Sequence, residues 1–204
     1  MRLLAPPEGQ DFPSIVAGRS ILRDGTEVWV RPVRQEDREL VHEFVSQLSP
    51  DALALRYFAA IRPSVAEEEI TSPDVPNDRL CLLVLGESAG AVGILGIGEY
   101  ARTRPGSTLG EVAFLVAESS RGRGVASLLL ARLARSAWAS GMRRFVARIR
   151  AGNAEILELF RANGVPLTAE RIDDEVDVIF PLRPSGKFDM ESLPDMAEVA
   201  VQEP

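Results

Sequence analysis

Two hydrophobic periods alternate along this chain. Thr26-Glu-Val-Trp-Val-Arg-Pro32 alternates apolar and polar side chains and ends on a proline, which predicts a strand. Over residues 35–48 the period lengthens, and Leu40, Val41, Phe44, Val45 and Leu48 share one helical face. Ser49-Pro50-Asp51 then opens a second helix through Leu53, Leu55 and Tyr57, with Ser49 as N-cap and Pro50 at the first helical position. Residues 65–71 predict a further helical turn or two. Two strands, 80–86 and 91–100, are joined by Glu87-Ser-Ala-Gly90, and a third covers Leu109–Val116 after the turn residues Pro105 and Gly106. Residues 124–140 carry Val125, Leu128, Leu129, Leu133 and Ala137 on one stripe, an amphipathic helix. A strand at 145–149, a helix at 153–163 closed by Gly164, and strands at 167–171 and 176–181 complete the pattern. An antiparallel meander followed by one βαβ crossover predicts an α/β (α+β) fold with a mixed sheet.

Composition sets the frame for that pattern. With 204 residues, 46% hydrophobic and 26% charged, the chain is long enough to build its own core. Residues 1–19 contain Pro6, Pro7, Gly9, Pro13 and Gly18 without sustained periodicity and read as a flexible arm. Residues 184–204 set Asp189, Glu191, Asp195, Glu198 and Glu203 against Lys187, an acidic tail too poor in apolar side chains to offset its ordering entropy, so disorder is expected. The folded domain is then 20–183. A formal charge of −7 argues against a nucleic-acid partner. No apolar run approaches the roughly 20 residues of a membrane span, and residues 1–10 lack a signal-peptide core. The single cysteine, Cys81, and single histidine, His42, exclude a disulfide framework and a Cys- or His-cluster metal centre. The expectation is a cytoplasmic monomer or homodimer with no metal and no membrane or nucleic-acid partner.

The chemistry is concentrated in Glu111-Val-Ala-Phe-Leu-Val-Ala-Glu-Ser-Ser-Arg-Gly-Arg-Gly-Val-Ala126, a strand, a loop with Gly122 and Gly124, and a helix start. Glycines let backbone approach a ligand closely, and the unpaired amides of a first helical turn sit at the positive end of the helix dipole. Together they form an anion site, to which Arg121 and Arg123 are expected to add charge. An arginine-rich surface loop that only caps the helix is the plainer alternative. Gly122-x-Gly124-x-x-Ser127 comes near a dinucleotide fingerprint. However, its glycines lie well beyond Val116, Arg148 and Arg150 stand where an acid is required, and a meander precedes it.

Arg121-Gly-Arg-Gly-Val-Ala126 resembles the diphosphate loop, Q/R-x-x-G-x-G/A, of the GNAT superfamily of acyl-CoA-dependent N-acyltransferases. Asn153-x-x-Ile-Leu-x-Leu-Phe-x-x-x-Gly164 is similar to that superfamily's following helix. At the front, Asp24-Gly25, Arg31-Pro32-Val-Arg34-x-Glu-Asp37 and Leu48-Ser-Pro-x-x-Leu-x-x-Arg56-Tyr-Phe58 resemble the acetyltransferase module of bacterial protein lysine acetyltransferases. The resemblance covers residues 20–183 and implies a mostly antiparallel sheet of six or seven strands flanked by helices, with acetyl-CoA as co-substrate. It implies acetyl transfer to an amine, a protein lysine in first place, with a small-molecule amine or a non-catalytic acyl-CoA-binding module as alternatives. The diphosphate is expected on Arg121, Gly122, Arg123, Gly124, Val125 and Ala126, and the pantetheine arm along Leu115, Val116 and Ala117 in a gap between two splayed strands. Asn153 is expected either to bond the pantetheine or simply to cap its helix. Glu111, among apolar neighbours on the strand entering the loop, matches a glutamate of similar lysine acetyltransferases and is the expected general base, with Glu99 as second choice. Many superfamily members place a tyrosine acid where this chain has Phe160.

Other conspicuous residues read as packing or surface. Cys81 sits in an apolar run, His42 lies beside the first helix's apolar stripe, and Trp29 and Trp138 fit packing roles. Gly90, Gly93, Gly96 and Gly98 fall in a strand pattern, where bulges or close partners explain them.

Overall fold

Five consecutive strands of this computed structural model pair antiparallel, each with its sequence neighbour: β1 (Gly18–Ile21), β2 (Glu27–Pro32), β3 (Arg79–Ser88), β4 (Ala91–Arg102) and β5 (Leu109–Val116). The structure describes residues 16–88, 91–150, 152–165, 168–172 and 174–185. Helices α1 (Arg38–Gln47), α2 (Pro50–Tyr57) and α3 (Pro63–Ile70) fill the connection from β2 to β3. Helix α4 (Val125–Ala139) carries the chain over to β6 (Arg144–Arg150), which runs parallel to β5. After α5 (Ala154–Ala162), β7 (Thr168–Ile172) and β8 (Glu175–Pro181) form a hairpin whose second strand pairs with β6. The sheet order is β1-β2-β3-β4-β5-β6-β8-β7.

The sheet buries both faces. On one, Val30, Leu82, Val84 and Tyr100 meet Leu129, Leu130, Leu133 and Ala137 of α4, with Phe160 of α5 beside Phe180. On the other, Leu83, Leu85, Ile97 and Leu115 meet Val41, Phe44 and Val45 of α1, Leu53 of α2 and Ile70 of α3. Each such leucine or phenylalanine contributes about 1.5–3 kcal/mol by leaving water. Gly96 brings α4 close to the sheet, because a Cβ there would stand 2.7 Å from Val125 Cγ1. Among the described residues no helix is long and apolar enough to cross a membrane.

Two differences from the sequence pattern have local causes. The sheet has eight strands, one more than expected, because Gly18 and Arg19 of the supposed arm belong to β1. That strand is too short and too polar to show a period, and it is fixed by its ladder to β2 and by Arg132, which donates to Val16 O at 3.2 Å and Ser20 Oγ at 2.8 Å. The first helix begins as a 3-10 turn over Gln35–Asp37. Asp37 accepts from Arg34 N–H at 2.8 Å and takes both Arg31 guanidinium nitrogens at 2.6 Å, so this front motif is a buried structural ion pair. Gly90, the remainder of the arm up to residue 15 and the tail from residue 186 lie outside the described residues.

Candidate active site

Strands β5 and β6 are paired over three rungs only: Leu109 with Arg144, Gly110 with Phe145, and Glu111 with Val146. Both continue beyond Glu111, each held by its outer neighbour, β5 by β4 and β6 by β8. A cleft of about 580 Å³ fills the gap between them. Val112 to Val116 and Ala147 to Ile149 line it on the sheet side, Leu55 and Phe58 of α2 on one flank, and the starts of α4 and α5 on the other. Phe58 is the left-handed C-cap of α2 (φ 58°), and Arg150 holds its carbonyl at 3.3 Å.

Glu111 is the last paired residue before the gap and lines the cleft half-buried. Its side chain makes no hydrogen bond or ion pair among the described residues. Glu99 is differently placed. Arg56 and Arg79 hold its two carboxylate oxygens, the latter at 2.9 Å, and it stays out of the cleft. It therefore anchors Arg56, which does line the cleft.

The ladder's alternation decides which β5 backbone groups face the gap. Ala117 N–H donates to Leu95 O of β4 at 3.0 Å, and Leu115 is directed the same way as the next rung but one. Val116, between them, turns its amide and carbonyl towards β6. Of the expected run of three, Leu115 and Val116 line the cleft, while Ala117 is held on β4 and packs against the α1–α3 core.

Helix α4 starts at Gly124, whose φ of +93° is reached without strain only by glycine. Its first turn has no side-chain cap, and Leu128 N–H to Gly124 O at 3.0 Å is the first bond of the helix. The amides of Val125, Ala126 and Ser127 therefore have no helical acceptor and open on the cleft. By contrast, α5 is capped: Asn153 Oδ1 accepts from Ile156 N–H at 3.3 Å while Asn153 also lines the cleft.

The loop arginines do not both face this site. Arg121 lines it but pairs with Glu155 at 2.7 Å. Arg123 is turned away, and its guanidinium holds Asp24 at 2.5 Å and Thr26 Oγ1 at 2.8 Å on the β1–β2 turn. The Thr26 amide, with Arg123, lowers the Asp24 carboxyl to about 2, so this clasp is charged at any physiological pH. The Arg123 side chain, expected at the anion site, thus lies on the β1–β2 turn instead. The side chain of Arg23, a residue that no periodic signal marks, runs over Gly124 and lines the cleft. Phe160 is fully buried against Phe180, ring centroids 5.1 Å apart, and does not reach the cleft. Cys81 is core, its thiol pushed well up by burial, and His42 bonds Glu67 at 2.7 Å away from the cleft.

A model of the acetyltransferase (GNAT) domain matches residues 27–165. The chain belongs to the GNAT acetyltransferase family. Among solved structures it is similar to the GNAT domain of S. lividans PAT, at 31% identity and a TM-score of 0.72, over 84% of this chain and 100% of that one. An acetyltransferase of Pseudomonas aeruginosa is 27% identical over 163 residues, 79% of this chain and 86% of that protein. Mycobacterium smegmatis RimJ, solved in complex with CoA-disulfide, shares the fold at 17% identity and a TM-score of 0.57, over 81% of this chain and 86% of that one. This is an N-acetyltransferase family that uses acetyl-CoA.

Proposed function

We propose that this GNAT chain is an acetyl-CoA-dependent acetyltransferase of amines, a protein lysine in first place, in which Glu111 takes the proton of the attacking amine. One observation carries the reading: an unpaired, half-buried carboxylate stands where β5 and β6 part, on the same cleft as the free amides of α4. The residues present fit the co-substrate. Free amides at a helix start suit a diphosphate, and the outward-facing Val116 backbone suits an amide-bearing arm. When bound, acetyl-CoA supplies an acetyl thioester.

The chain's own residues would do the rest. A lysine amine of pKa about 10.4 costs roughly 4.6 kcal/mol to deprotonate at pH 7, and a positioned carboxylate can receive that proton directly or through one water. The Val116 N–H, fixed by the ladder, is aimed into the gap to stabilise charge on the acyl oxygen. A thiol of pKa about 8.5 leaves as thiolate with little help, so the burial of Phe160 is no obstacle. The lysine acceptor is supported by the front motif's likeness to bacterial protein lysine acetyltransferases and by the likeness to S. lividans PAT.

The test is free-thiol release from acetyl-CoA with lysine peptides, a basic protein and a polyamine panel. Acceptor-dependent release with the peptides or the protein is expected. Release with polyamines alone would move the acceptor to small molecules, and none with any amine would reject the reading.

A further inference from the structure

Arg121, Arg123 and Arg23 surround the first turn of α4, and they differ in what they hold. Arg121 is paired with Glu155 and Arg123 with Asp24. The Arg23 guanidinium makes no hydrogen bond and no ion pair among the described residues. Its main chain is nevertheless fixed, because Arg23 N–H donates to Arg123 O at 3.1 Å. Its side chain runs along Gly124, with Cγ, Cδ and Nε 3.2, 3.5 and 3.5 Å from where a Cβ on residue 124 would stand.

Arg23 is exposed at the edge of the cleft, so water screens its repulsion from the start of the 15-residue helix, and the helix's partial positive charge together with this cation favours an anion between them. Neither Asp24 nor Glu155 can serve as that anion, since each is held by another arginine. The guanidinium offers several donors in one plane, rooted in a clasped turn and free at its tip, an arrangement suited to phosphate oxygens.

We propose that Arg23 is the phosphate-binding cation of this cleft, closing over the ligand from the β1–β2 turn opposite the amides of Val125 and Ala126. The proposal rests on the reading that the cleft takes a coenzyme A thioester, and it adds a residue outside the glycine loop to that site. The Arg123–Asp24 clasp then has a role of its own, to hold Arg23 in register with α4.

Calorimetry on the full chain with CoA and dephospho-CoA, at low and high salt, tests it through Arg23→Gln and Arg23→Lys. Arg23→Gln is expected to weaken CoA about 10–100-fold and to flatten the salt dependence, with Arg23→Lys recovering part of the loss. A deficit that persists with dephospho-CoA assigns the contact to the diphosphate, and one confined to CoA assigns it to the 3′-phosphate. Equal CoA affinity and salt dependence in wild type and Arg23→Gln would overturn the proposal. So would a lowered melting midpoint in Arg23→Gln with no rescue by lysine, which marks a structural role. A wild-type chain that gives no heat with CoA would instead overturn the cleft's assignment, before any variant is compared.

Discussion

Glu111 and Val146 form the last rung between β5 and β6, and the cleft begins at that rung. A carboxylate so placed has a backbone fixed on both sides, since Glu111 also pairs with Ala101 of β4. Glu111→Gln keeps this geometry and removes only the ability to accept a proton. It is expected to lower kcat by about 10²–10⁴ while leaving the Kd for CoA within about twofold. Stopped-flow thiol release together with calorimetry measures both, and an unchanged kcat would strip Glu111 of its role.

Gly124 is the second point at which geometry makes a sharp demand. Its φ of +93° is unfavourable for any residue with a Cβ, and that Cβ would meet Arg23 at 3.2 Å. Gly124→Ala should cost about 1–2 kcal/mol of stability from the left-handed backbone alone. It should also weaken CoA by displacing Arg23. Gly122→Ala is the control, because its φ of +73° carries similar strain but its Cβ would meet nothing within 4 Å. Comparable melting midpoints with a larger CoA defect at position 124 are expected. Equal CoA affinity in the two variants would count against the crowding argument.

How much of this was legible beforehand depended on how far apart the contributing residues lie. Strand β5 was readable to its ends because turn residues bracket an apolar run, and α4 because its stripe repeats over four turns. The loop between them was readable for the same reason: its glycines and the helix start are contiguous. The gap itself was implied by the family resemblance alone, since it is a separation between two strands that no residue type encodes. Arg23 was missed because the Asp24–Arg123 clasp that brings it to the site spans 99 positions. The same separation hides from the sequence the upstream acid that holds the Arg123 side chain.

Phe160 tests whether the missing tyrosine matters. The ring is wholly enclosed, and a hydroxyl added to it has no route to the cleft. Phe160→Tyr is therefore expected to bring no gain in rate. An unsatisfied buried hydroxyl should cost about 1–3 kcal/mol, a fall of several degrees in Tm. Differential scanning calorimetry and steady-state rates check both halves. A faster enzyme of unchanged Tm would mean that the ring turns towards the gap during turnover.

Asp74 links the cleft's support to pH. Its carboxylate accepts from Cys81 N–H at 3.0 Å and lies 3.7 Å from Arg79, the residue that also holds Glu99. Burial outweighs both contacts and pushes this carboxyl up to about 6. The unfolded chain releases the same proton near the ordinary aspartate value of about 3.9. Between those two values the folded state holds the extra proton, so stability falls as pH rises through the window and levels off above about 6. Asp74→Asn keeps an oxygen for the Cys81 amide and removes the charge. Its Tm should exceed that of the wild type at pH 7, with the difference shrinking towards pH 4, where both side chains are neutral in the folded state. A melting series from pH 4 to 8 follows that difference. If it stays constant with pH, or if the asparagine variant is the less stable at pH 7, then the bond to Arg79 outweighs burial and the carboxylate is a stabilising part of the chain from Arg79 through Glu99 to Arg56.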